Sequence, residues 1–429
     1  MFFAIFIIVV VLTKPMKIQF RQHKGYDPLG DCGKGKCPIC ARNNALFKVR
    51  EKIGINDSTN FTSNAVSPFV GRFGYPNVNV GILAPPEQSD DSWMYDSPKF
   101  WSSENFELPK IVDFRSSLLN SRDNVNIRKK IKLIEISQDI AMSSKPVDVE
   151  IQLKEKPRFQ LNLDSHMAPT GPNAKLKKAS LTENPKIHTK VYKVFDDIDL
   201  KAQDAVNYLY ENNFDENFLS RILSVGILGL KKDRKLVPTR WSISATDDII
   251  GKNLISEIKD FSETDSYYSF FGNYMGNYYL ILIFPEVWSY ELFETYVPQN
   301  WIYNKELRCT TDCENYSGRK NYAEETAGGY YTVRLAVLEK LKEMKRQASV
   351  LALRFITDEY AMPLGVWVTR ETARKSMNSN PIEFSSKELM LDYVRKLIKR
   401  RFNYNVDYIL NKSILLRNIK HQIKLSKFI

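Results

Sequence analysis

Residues 278–284, Tyr-Tyr-Leu-Ile-Leu-Ile-Phe, constrain the fold more than any other stretch. The apolar run is unbroken and is stopped by Pro285. A short, β-rich run without alternation predicts a strand buried on both faces. Residues 350–356 and 365–369 read as further strands. The alternation Asn77-Val78-Asn79-Val80 predicts another, closed by Pro85-Pro86. Helical spacing governs residues 198–211 and 214–225, the latter with Phe218, Ile222 and Val225 in step. Thr246 ahead of Asp247 and Asp248 predicts an N-cap followed by first-turn acids, with Ile250, Leu254 and Ile258 as the buried stripe. Gly328-Gly329 leads into a helix striped by Val333, Val337, Leu341, Met344 and Ala348. Ser385 with Glu388 predicts a capping box ahead of another helix. Residues 143–187, polar and broken by proline, read as long loops. Strands and helices mix without regular alternation or internal repeat, so the fold class is α/β or α+β.

At 429 residues the chain is long enough for two or three domains, and 43% hydrophobic with 26% charged residues excludes a disordered polymer. The formal net charge of +12 fits a nucleic-acid partner. Three of the five cysteines crowd together near the start, a spacing suited to a metal or to reduced thiols rather than a disulfide scaffold. Residues 1–15 form a doubtful leader. The apolar run 2–12 is too short to span a bilayer and lacks the basic start of a secretory signal, so Met16 is read as the initiator. A soluble cytoplasmic protein without a membrane partner is expected.

At the C-terminus, Gln422, Leu425, Phe428 and Ile429 follow a spacing that lines up on one side of a short 3₁₀ turn. Leu425, Phe428 and Ile429 can plug an apolar pocket while Gln422 offers an amide. Lys420, Lys424 and Lys427 are left to meet an acidic surface. The pattern resembles the PCNA-interacting peptide by which replication and repair proteins hold the sliding clamp.

Cys32, Cys37 and Cys40 have zinc-like spacing, and structural zinc takes four ligands. His23 is the nearest fourth candidate, with Cys309 and Cys313 as a distant alternative. A possible catalytic group is Arg240, Asp247 and Asp248 around Trp241, combining a phosphate fork, paired acids and a stacking ring. Glu324, Glu325, Glu359, Arg370 and Glu371 are further charged residues that such a site can draw on. Gly71-Arg72-Phe73-Gly74 is glycine-rich but matches no phosphate-loop or dinucleotide fingerprint. The four histidines form no metalloprotease pair.

Several of these blocks together resemble the archaeal Nre family of DNA repair proteins. They are the Cys-Gly-x3-Cys-Pro motif at 32–38, FVGRFGYPNVNVG at 69–81, LVPTRWSISATDD at 236–248, GGYYTVRLAVLE at 328–339, EYAMPLGVWVTRE at 359–371 and the C-terminal peptide. The resemblance implies two conserved mixed regions, here 46–295 and 296–405, between a zinc-knuckle-like segment at 16–45 and a basic tail at 406–429. It implies a role in DNA damage repair, with the clamp PCNA and DNA as partners and a structural zinc. The family's first cysteine pair is missing here. His23-Lys24-Gly25 stands where a Cys-Lys-Gly is expected, leaving His23 and Cys40 to complete the ligand set.

Overall fold

Two six-stranded sheets organise the chain. The computed structural model describes residues 37–55, 59–157, 169–297 and 309–421. The leader, His23, Cys32 and the peptide carrying Gln422, Leu425, Phe428 and Ile429 lie outside the described residues.

The first sheet contains β1 (Asn60–Ala65), β2 (Ser67–Val70), β3 (Asn77–Ala84), β4 (Leu119–Asn126), β5 (Val147–Leu153) and β6 (Asn173–Leu181). Their order is β1-β5-β6-β4-β3-β2, antiparallel except for the β4–β6 pair. The second contains β7 (Tyr267–Tyr274), β8 (Asn277–Phe284), β9 (Ser289–Tyr296), β10 (Cys309–Glu314), β11 (Ser349–Ile356) and β12 (Ile382–Phe384), in the order β10-β9-β11-β8-β7-β12. β11 inserts between β8 and β9, antiparallel to one and parallel to the other.

Helices α1 (Pro38–Ile55), α2 (Pro98–Ser103), α3 (Leu108–Ser117) and α4 (Lys132–Met142) accompany the first sheet in sequence. They are followed by α5 (Thr189–Asp196), α6 (Ala202–Glu211), α7 (Glu216–Ser224), α8 (Thr239–Ile258), α9 (Ala327–Met344) and α10 (Trp367–Met377). The chain then runs through α11 (Lys387–Phe402), α12 (Asp407–Lys412) and α13 (Ile414–His421).

The apolar run at 278–284 lies in β8, every residue of which is buried. Alternate side chains explain why. Tyr279, Ile281 and Ile283 enter the main core with Val333, Val337 and Leu341 of α9. Tyr278, Leu280, Leu282 and Phe284 face the other way, packing with Met390, Val394 and Ile398 of α11 and with Ile409 and Leu415. A sheet covered on both faces needs no polar side, hence the missing alternation.

Several expectations change. Residues 143–187 hold β5 and β6 rather than long loops. Val147, Val149, Ile151 and Leu153 are buried while the polar residues between them face outward, and the lysines of β6 do the same. Half-exposed strands of this kind read as polar in bulk. Residues 365–369 do not form a strand: Gly365, at φ +99°, turns the chain into α10. Thr246 is no N-cap but an interior residue of α8, which starts seven residues earlier behind Pro238. Gly328 and Gly329 lie inside α9 rather than before it. A Cβ on Gly329 would meet Glu294 Oε1 at 2.7 Å, so the missing side chain lets α9 sit close to β9. The cap of α11 is Ser386, not Ser385, its hydroxyl accepting from Leu389 N at 3.2 Å.

Candidate nucleic-acid interface

The N-terminal half of α8 is where separate stretches of sequence meet. Thr239 Oγ1 accepts from Val70 N at 3.0 Å, tying the helix start to the β2–β3 hairpin. That hairpin closes through Gly71 N to Asn79 O at 2.8 Å and Asn77 N to Gly74 O at 2.8 Å. Gly74, at φ +82°, supplies the left-handed turn, and a Cβ there would lie 2.7 Å from Asn77 O. The loop after β4 is pinned to the hairpin by Ile127 N donating to Pro76 O, and Leu236 N donates to Ile127 O, both at 3.0 Å.

These bonds gather a surface of rings and cations. Phe73 is 77% exposed, Trp241 46% and Tyr75 42%. The rings of Tyr75 and Trp241 lie 5.3 Å apart, and the Arg72 guanidinium sits 4.8 Å from the centre of Phe73. Arg240 is exposed beside Trp241. Arg128, Lys129 and Lys130 follow directly on Ile127, and Lys235 precedes Leu236, all exposed. Ser244, one turn farther along α8, lies 3.4 Å from the exposed Tyr322 hydroxyl. Large rings left in water and flanked by guanidinium and ammonium groups offer stacking faces for bases and counter-charges for phosphates.

Behind this rim, the two aspartates of α8 point to different partners, neither of them Arg240. Asp247 is fully buried, its Oδ1 accepting from Arg370 Nη1 at 2.6 Å. Its Oδ2 is buried and has no hydrogen-bond partner among the described residues. Burial pushes the Asp247 carboxyl up to about 6, against the pull of Arg370. Arg370 also donates to Asn217 Oδ1 at 3.1 Å, and its Nε lies 3.0 Å from Glu216 Oε1. Arg374 then spans Glu216, Glu371 and Glu339, and Tyr210 donates to Glu339 at 2.6 Å. Burial works to raise Glu216, yet Arg370 and Arg374 together outweigh it and hold the carboxyl well below its usual range.

Asp248 belongs to a second set. It accepts from Arg334 Nη2 at 2.6 Å and pairs with Lys252 at 2.7 Å, while Arg334 Nη1 donates to Glu314 at 2.8 Å. Both sets join separate elements: α6, α7, α8, α9 and α10 through the first, and α8, α9 and β10 through the second. They clamp the core under the rim, and no common cleft collects Arg240, Asp247 and Asp248.

Of the expected zinc ligands, Cys37 is buried just before α1 and Cys40 is half-buried in its first turn, both packing in a cluster with Trp101 and Trp367. Cys309 and Cys313 lie on β10, where burial raises both thiols. Among the described residues no group of three or more metal-ligating side chains occurs, and no helix is long and apolar enough to cross a membrane. Sequence reasoning singled out Arg240 and Trp241 but weighed Gly71-Arg72-Phe73-Gly74 only as a phosphate loop, and did not mark Phe73 and Tyr75 as stacking rings. A bulky ring between glycines, which leave it no local neighbour to pack on, was the available signal.

The family models of archaeal Nre match this chain over residues 32–302 for the N-terminal region and 314–428 for the C-terminal region. The chain belongs to the archaeal Nre family. It is 36% identical over 341 residues to the DNA repair protein NreA of Haloferax volcanii, covering 77% of this chain and 80% of the relative. Against NreB of Archaeoglobus fulgidus, also named a DNA repair protein, identity is 33% over 90% of this chain and 94% of the relative. NreA of the same organism is 37% identical, over 83% and 88% respectively. No solved structure matches. Four of the blocks that carried the family resemblance meet around α8. The 69–81 and 236–248 blocks touch at Val70–Thr239 and Tyr75–Trp241. The 328–339 and 359–371 blocks reach α8 through Arg334 and Arg370.

Proposed function

We propose that this protein acts in DNA repair, that it is held at its substrate by the sliding clamp through residues 422–429, and that it touches DNA with the rim formed by the β2–β3 hairpin and the start of α8. The observation that carries the DNA contact is the exposed trio of Phe73, Tyr75 and Trp241 among exposed basic residues. Rings of this kind stack on unpaired bases whatever the sequence, at about 1–3 kcal/mol per base. Tethering by Leu425, Phe428 and Ile429, with Gln422 as the polar contact, raises the local concentration of the rim at DNA without any tighter intrinsic binding. The same names borne by the relatives support the repair role.

A catalytic reading of Arg240, Asp247 and Asp248 finds no support in their geometry, since both acids are spent on internal arginines. A structural zinc held by Cys37, Cys40, Cys32 and His23 belongs to the same proposal. It draws support from Cys37 and Cys40 standing one turn apart at the start of α1. Elemental analysis of the purified chain tests it.

The experiment on the main reading is calorimetry with purified clamp, combined with Trp241 fluorescence on adding single-stranded DNA. The intact chain binds the clamp, and Leu425→Ala with Phe428→Ala does not. Single strands quench the rim tryptophan and lose affinity about tenfold or more on Trp241→Ala. Undiminished clamp binding by the double variant removes the tether. Unchanged DNA affinity on Trp241→Ala removes the rim.

A further inference from the structure

The outward face of the first sheet carries polar side chains that neither the rim nor the buried ion pairs use. Pairing of β3 with β4 sets Asn79 opposite Asn124 and Gly81 opposite Arg122. The parallel pairing of β4 with β6 sets Arg122 beside Lys175 and Asn120 beside Asn173. Val78, Val80, Ile82, Ala174 and Leu176 are buried, so the residues alternating with them turn to the opposite face. Gly81 is needed there because a Cβ would fall 2.0 Å from Asn120 Oδ1, and the Asn120 amide therefore lies flat over the strand. That Oδ1 is buried and has no hydrogen-bond partner among the described residues.

Around this row opens a cavity of about 430 Å³ lined by Asn79, Arg122, Asn124, Lys156, Asn173 and Lys175. Two acids also border it. Asp123 is engaged by Lys154 at 3.2 Å, and Glu155 is the other. Arg122 is half-buried, and no carboxylate among the described residues pairs with it; burial alone acts on its guanidinium and lowers it. A half-buried guanidinium without an acid has lost part of its hydration, and an anionic ligand can replace it with charge-assisted hydrogen bonds.

We propose that this bay binds a phosphate group, with Arg122 and Lys175 meeting its oxygens and the asparagine amides bonding the sugar or base attached to it. The phosphate comes either from a nucleic-acid backbone or from a free nucleotide. Amides that both donate and accept suit the mixed edges of a nucleotide better than those of a bare inorganic anion. The proposal is independent of the rim, which uses other residues.

The test uses the full chain, with fluorescence anisotropy of a labelled oligothymidylate over a salt series and calorimetry with adenosine triphosphate. With a backbone phosphate in the bay, Arg122→Gln with Lys175→Gln flattens the log-affinity against log-salt slope by about 0.7 for each lost contact on a single strand. Lys175→Gln alone, at an exposed position, removes about one such step and guards against misfolding of the double variant. Trp241→Ala weakens binding without changing this slope, so the two surfaces are separable. With a free nucleotide in the bay, the double variant loses triphosphate binding at least tenfold while the oligonucleotide slope stays. If the variants melt as the parent does and neither the slope nor triphosphate affinity changes, the phosphate assignment is overturned.

Discussion

Replacing Arg370 with methionine isolates the contribution of the ion pairs under α8. Arg370 is almost fully buried and is the hydrogen-bond partner of Asp247, whose carboxylate is wholly inside the protein. Glu216 loses one contact as well but keeps Arg374 at 2.9 and 3.1 Å. The damage therefore falls on Asp247, whose carboxyl loses its counter-ion and must take up a proton to stay buried. Removing one partner from a buried pair costs about 3–5 kcal/mol. The loss has a pH signature. Asp247 already titrates near 6 with Arg370 present, and without it the carboxyl rises further. The folded variant then holds a proton that the unfolded chain releases above the ordinary 3.8. Its stability consequently rises as pH falls. Urea denaturation at about pH 7 and about pH 5 measures this, with a deficit near 3–5 kcal/mol at the first that shrinks by about 1.4 kcal/mol per pH unit until about pH 6, below which the parent titrates in step and the deficit levels off. Adding Asp247→Asn to Arg370→Met restores much of the loss. A deficit under about 1 kcal/mol, or one that ignores pH, refutes the reasoning that Asp247 is an internal charge neutralised by Arg370.

Asp247→Asn alone predicts a change in the parent's own pH dependence. In the parent, raising the carboxyl from 3.8 to about 6 makes stability fall by about 3 kcal/mol as pH rises through that window, and the variant lacks this slope in urea titrations. Glu291 predicts a local effect: buried in β9, it accepts from Ser413 Oγ and from the Ile414 and Leu415 amides at 3.0 Å, holding the first turn of α13. Glu291→Ala speeds hydrogen exchange across 414–421 while leaving the β8 and β11 amides protected, and equal exchange across 414–421 in variant and parent discounts the anchor.

Two central strands of the second sheet, β8 and β11, were legible because they are apolar along most of their length, and a run such as that of β8 has no competing solution. The stripes of α7 and α9 were legible through helical spacing instead, although Ala348, read as the last member of the α9 stripe, lies beyond the helix end at Met344. The first sheet was harder, since β5 and β6 put lysine, glutamate and asparagine on an outward face and their bulk composition looks like a loop. Helix starts were misplaced where a cap motif lay inside a longer helix: Thr246, Asp247 and Asp248 satisfy the local pattern, but tertiary pairing with Arg334 and Arg370 is what uses the acids. Periodicity carries no information on which arginine a buried aspartate will meet a hundred residues away. The rim depends on segments far apart in sequence, joined by a few hydrogen bonds such as Val70 N to Thr239 Oγ1 and Ile127 N to Pro76 O, which no local window contains.

The interleaving of the second sheet has a consequence for any attempt to divide the protein. β8 and β9 belong to the N-terminal family region, yet the strand seated between them, β11, comes from the C-terminal one. Severing the chain between residues 302 and 314 thus leaves one fragment with an empty slot flanked by unsatisfied backbone edges, and the other with a greasy ribbon that has nowhere to dock. Expressed apart, such fragments precipitate; expressed together, they can reassemble by seating β11 between β8 and β9.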